Sequence, residues 1–201
     1  MDGSLGSSRA QTLIIGLGQI KLGHISIILS VVPPRAAEGC LFEKHGPSGV
    51  SSYINLDKSY KNPADTSSPV GAKFTLDSTA YWNGQNMRRT ELIPQTTAAI
   101  NKGTVWYHFS IMHNMTNAPS IYREHQICFF ESHFTELKSG WISGESGTSD
   151  PLLRWDIGGN TKWSVNWEAG VWHNVAYEIV CLPKYLENLL VLIIDRSSAP
   201  Q

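Results

Sequence analysis

Two short runs concentrate the residues able to do chemistry: Arg88-Arg89-Thr90-Glu91-Leu92 and, forty positions later, Phe129-Phe130-Glu131-Ser132-His133-Phe134. Each sets one carboxylate among strand formers with apolar flanks. An ionised side chain is costly in a half-buried strand unless a partner compensates it. Two strands with one glutamate each match what a hydrolytic cleft requires. One carboxyl, protonated, assists the leaving oxygen; the other, ionised, activates water. The structural alternative is an ion pair of Glu91 with Arg88 or Arg89, and a hydrogen-bonded strand-end carboxylate at Glu131.

Strand alternation groups the neighbours. Met87, Arg89, Glu91 and Ile93 point one way, and Arg88, Thr90 and Leu92 the other. In the second run Arg123, His125, Ile127, Phe129, Glu131 and His133 share a face. If both glutamates open onto a concave sheet, Arg89, His125 and His133 join them in one groove. Burial against Phe129 would raise one carboxyl, and Arg89 would keep the other ionised. His125, His133 and Glu131 lack a clear further ligand, so neither a metal nor a cofactor is expected. There is no glycine-rich phosphate loop and no Gly-x-Ser-x-Gly elbow, which leaves nucleophilic serine or cysteine chemistry unsupported.

The elements that must hold these residues are strands. From 51 to 179 the chain alternates short runs of Thr, Val, Ile and aromatics with clusters of Gly, Pro, Asn, Asp and Ser, the pattern of an all-β domain. Expected strands are 51–56, 71–78, 86–93, 103–112, 123–132, 138–142, 151–157, 162–167 and 171–179. In 103–112, Val105, Tyr107, Phe109 and Ile111 oppose Trp106, His108, Ser110 and Met112. No long segment carries a 3.6-residue apolar stripe, so helices should be minor. Residues 1–50 differ in texture and are set apart from the core. Thr12 to Val32 is apolar in bulk, yet Gln19, Lys21 and His24 interrupt it, so it fits neither a signal peptide nor a membrane helix. Residues 180–201 form an atypical tail.

Composition narrows the partners. Sixteen basic residues against 17 acidic leave a net charge of −1, which offers no basic field for nucleic acid. Six of the seven tryptophans fall between Trp106 and Trp172; indoles fill cores and also stack on sugar faces. Cys40, Cys128 and Cys181 form no Cys-x-x-Cys pair, so a structural zinc site is not expected.

The runs Ser52 to Leu56, Tyr60 to Asp65, Arg88 to Pro94, Glu124-His125-Gln126, Phe130 to Phe134 and Trp172 to Tyr177 occur in an order that resembles the catalytic domain of glycoside hydrolase family 131, fungal β-glucanases. The resemblance spans roughly 51–179. It implies a β-jelly roll with an open groove, cleaving β-1,3-, β-1,6- and β-1,4-linked glucans with inversion. It further implies an exported monomer with a β-glucan as its partner and no nucleic acid, membrane or cofactor. On this resemblance Glu91 and Glu131 are the catalytic pair, with Arg89, His125 and His133 contacting substrate. An inverting pair stands ~6.5–9.5 Å apart. The family's opening strands and its strands beyond Tyr177 find no counterpart, so the jelly roll is expected to be incomplete at its C-terminal end. Two other readings stay open: a polysaccharide lyase using Arg89, Gln126 and Tyr177, and a non-catalytic glucan-binding module.

Overall fold

The alternating runs fold as strands. The structure, a computed structural model, describes residues 13–16, 25–31, 40–66, 68–82, 85–94, 103–130 and 132–181. Its strands are β1 (Leu13–Gly16), β2 (Ile25–Val31), β3 (Cys40–Lys44), β4 (Ile54–Asp57), β5 (Gly71–Leu76) and β6 (Thr90–Pro94). They continue as β7 (Gly103–His113), β8 (His125–Phe130), β9 (Thr135–Ser139), β10 (Leu152–Ile157), β11 (Asn160–Asn166) and β12 (His173–Cys181). They form two antiparallel sheets, one ordered β11-β10-β9-β8-β1-β6-β3 and the other β12-β7-β2-β5-β4, in a β-jelly roll.

Side-chain alternation decides which face of each strand is sealed. On β7, Phe109 and Ile111 are buried while Trp106 and His108 are exposed; on β12, Val175, Tyr177 and Ile179 point inward beside them. The larger sheet supplies Leu92, Cys128, Phe130, Leu137 and Leu153 to the same core. Aromatic edges lock the layers together. Tyr107 on β7 meets Phe130 on β8 edge-on at 5.5 Å across the layers, and within the smaller sheet Phe109 meets Tyr177 edge-on at 5.7 Å, geometries that suit the ring quadrupoles. The Thr90 hydroxyl donates to the Thr75 carbonyl at 2.9 Å, tying β6 to β5 across the sheets.

Three features depart from the sequence reading. The first fifty residues, set apart on composition, contribute backbone to both sheets: β1 lies between β8 and β6, and β2 between β5 and β7. Their apolar runs are short, and Gln19, Lys21 and His24 lie outside the described residues. The strand expected at 138–142 lies instead at Thr135–Ser139. Gly140 stops it, with a left-handed φ of 77° and backbone packed where a β-carbon would meet the Arg123 carbonyl. Finally, β8 carries an irregularity between Gln126 and Cys128 in its pairing with β9. Such a bulge shifts the alternation by one residue.

Candidate active site

The outer face of the seven-stranded sheet collects the charges. Register places Phe129 opposite Glu136, Gln126 opposite Lys138, and Arg154 opposite Lys138, so these residues share a face turned away from the core. Glu91 joins them on β6.

The two arginines before Glu91 divide as alternation requires. Arg88 turns inward, fully buried, donating from Nη1 to the Asp77 carbonyl at 3.1 Å and lying 5.9 Å over the Tyr81 ring. Burial holds its guanidinium below the usual value, against the opposing pull of Tyr81 and Asp77. Arg89 turns outward and donates from Nη1 to Glu91 Oε1 at 3.2 Å. Its guanidinium sits 4.6 Å over Trp82 and 5.5 Å over Phe129, a cation held between two π faces. Glu91 is only 2% exposed, and its second oxygen stands 3.4 Å from His45 Nε2. A guanidinium and an imidazole therefore flank a carboxylate removed from solvent, which offsets the cost of burying its charge.

A second polar group continues across β8 and β9. His133 adopts φ 54°, a left-handed conformation uncommon outside glycine, and its ring stacks on Phe129 at 5.1 Å with 9° between planes. Its Nδ1 pairs with Glu136 Oε1. Lys138 Nζ reaches Glu136 Oε2 at 2.5 Å and Glu124 Oε1 at 3.2 Å. A continuous series results: His45, Glu91, Arg89, Phe129, His133, Glu136, Lys138.

Of the residues singled out from sequence, Glu91, Arg89 and His133 lie on this face. His125 does not. The bulge turns it away from Phe129; it is 0% exposed, sits in register with Ser139, and bonds through Nε2 to the Ser120 carbonyl at 3.0 Å. It is a core residue rather than a groove residue. Glu131 lies outside the described residues. Sequence reasoning missed His45, Trp82, Glu136 and Lys138. Glu136 and Lys138 carried a signal, since two charged residues spaced by two fall on one face of a strand. Tyr177, the base required by the lyase reading, is 0% exposed in the core, where burial raises its hydroxyl well above its usual range.

The family description "glycoside hydrolase 131 catalytic N-terminal domain" matches residues 38–185. The chain belongs to glycoside hydrolase family 131. Two solved family 131 structures align with it. The β-glucanase catalytic domain from Podospora anserina is 70% identical with a TM-score of 0.68, over 70% of this chain and 58% of that one. The family 131 catalytic domain from Coprinopsis cinerea is 48% identical with a TM-score of 0.63, over 71% of this chain and 58% of that one. The chain thus spans less than two thirds of the length of either structure. No curated protein matches it. The family match begins at residue 38 and so takes in His45 and β3, both in the segment that composition had set apart.

Proposed function

We propose that this family 131 chain is a glycoside hydrolase that cleaves β-glucans, with β-1,3-, β-1,6- and β-1,4-linkages in range, by an inverting mechanism on Glu91 and Glu131. The observation that carries this reading is Arg89, which bonds Glu91 and stacks on Phe129, so that one side chain touches both glutamate-bearing motifs. The strands bearing those motifs, β6 and β8, are separated only by β1. Two strand spacings amount to ~9.5 Å between backbones, close enough for side chains from both to reach a common space.

In this reading Glu91 takes the base's part and Glu131 the acid's. Glu91, bonded by Arg89 and beside His45, is the general base that takes a proton from water. That water attacks the anomeric carbon from the face opposite the leaving oxygen, and Glu131 supplies the proton that releases the leaving group. Water's oxygen ends on the anomeric carbon, and both carboxyls exchange their protonation states before the next turnover. His133, fixed by Glu136 and Phe129, presents its remaining ring edge to the substrate. The reaction belongs outside the cell, because a polymeric glucan must be shortened before it can enter, and a monomer suffices for it.

Reducing-sugar release from laminarin tests the assignment. Glu91→Gln and Glu131→Gln should each lower kcat by ~10²–10⁴, the range of a lost acid/base catalyst, with unchanged circular dichroism. Wild-type rates in a well-folded Glu91→Gln protein would refute the role given to Glu91.

A further inference from the structure

Beyond the glutamate motifs, the same sheet ends in a second built feature. A cavity of about 370 Å³ opens at the β9–β10 connection, lined by Trp141, Glu145, Ser146, Ser149, Asp150 and Arg154. Arg154 belongs to the outer face, in register with Lys138. From β6 to β10 is four strand spacings, ~19 Å, so the cavity is several sugar units from Glu91 along a line crossing the strands.

The cavity is rigidly made. Arg154 is 6% exposed and is clamped from three sides. Nη1 donates to Glu145 Oε1 at 2.7 Å, Nη2 donates to the Gly140 carbonyl at 3.2 Å, and Nε lies 3.2 Å from Asp150 Oδ2. Burial pulls its guanidinium down, but the Glu145 hydrogen bond and the charges of Glu145, Asp150 and Asp156 outweigh burial and hold it above its usual value. The backbone is pinned as well, since the Ile121 carbonyl accepts from both Trp141 N at 3.1 Å and Asp150 N at 2.8 Å. The adjoining turn leaves Ile121 and Tyr122 exposed beside the opening.

Its chemistry is specific. Trp141 is half-buried, and its Nε1–H is sealed with no acceptor among the described residues. Two carboxylates against one guanidinium leave the lining net acidic, which accepts hydroxyl donors and repels anions. An indole, serine hydroxyls and surplus carboxylate oxygens together match a neutral sugar ring and disfavour a uronate.

We infer that this cavity is a distal subsite that holds a neutral glucosyl unit of a chain whose scissile bond lies at Glu91. The inference rests on the hydrolytic reading above and extends it to chain-length preference. It makes Trp141 a binding residue that acts only on substrates long enough to reach it.

Steady-state kinetics on laminarin and on laminaritriose provide the test. Trp141→Ala should raise KM for laminarin about tenfold, the effect of one lost stacking contact, with kcat retained and laminaritriose kinetics unmoved. Ser149→Leu alters only an exposed rim residue and fills the cavity, so it should raise the same KM even if the tryptophan variant proves unstable. An unchanged laminarin KM in Ser149→Leu and in a folded Trp141→Ala would overturn the subsite, as would an equal rise for both substrates. Calorimetric binding of laminarin to the same proteins keeps the two proposals distinct. Weaker binding by the variants supports the subsite even if the wild type hydrolyses nothing, an outcome that would sink the hydrolase reading alone.

Discussion

Arg89 ties the charged outer face together, and its contacts make it hard to replace. It neutralises Glu91 through one nitrogen while its flat guanidinium lies against Trp82 and Phe129. A lysine would keep the charge and lose both the planar stack and the directed donor. Arg89→Lys should therefore lower kcat/KM on laminarin by about tenfold, the scale of a desolvated cation–π contact together with a weakened ion pair. Its unfolding midpoint should stay close to wild type, because Arg89 is not a core residue. A full-strength Arg89→Lys enzyme would show that the positive charge alone is enough and that the stacking is incidental. Arg88, adjacent in sequence, has the opposite task. Its side chain runs into the core and fastens the segment before β6 to the end of β5. Two identical residues side by side thus serve the charged outer face and the core, separated only by strand parity.

At the scale of elements, the groove depends on where strands stop and where they slip. Gly140 ends β9 in a left-handed conformation against the Arg123 and Ser120 carbonyls, and its own carbonyl accepts from Arg154. Gly140→Ala should destabilise the fold by about 2–3 kcal/mol through backbone strain and steric conflict, read as a lower urea midpoint with an unchanged slope. A midpoint equal to wild type would mean that this turn tolerates a β-carbon and does not set the strand end. These local events mark the limit of what the sequence discloses. Alternation groups the side chains of β6 and β7 as the structure does, with Arg88 and Leu92 opposite Arg89 and Glu91 and with Phe109 and Ile111 opposite Trp106 and His108, because those strands are uninterrupted. The same rule carried across 123–133 failed at His125, since a bulge at Ile127 leaves no signature in residue types. The strand at 135–139 was displaced in the reading because Phe134 and Thr135 look like a turn's exit until Gly140 is recognised as the terminator. His45 was passed over for a different reason. Its partner, Glu91, lies 46 positions away in sequence, and a contact of that kind has no local pattern to betray it.

For the molecule as a whole, the two sheets share one core, and the outer face of the larger sheet collects the paired charges. Sealing Leu92, Cys128, Phe130, Leu137 and Leu153 against the smaller sheet frees the opposite face of the same strands for charges that pair among themselves. That face runs from Glu91 on β6 to the Trp141 cavity at the β9–β10 connection, up to ~19 Å across the strands. The direct test is proton NMR of the reducing ends released from laminarin in the first minutes of hydrolysis. The two-carboxylate account predicts that the α-anomer appears first and the β-anomer only later through mutarotation. An initial β-anomer would mean that a carboxylate attacks the sugar itself, and it would contradict the water-activating role assigned to Glu91.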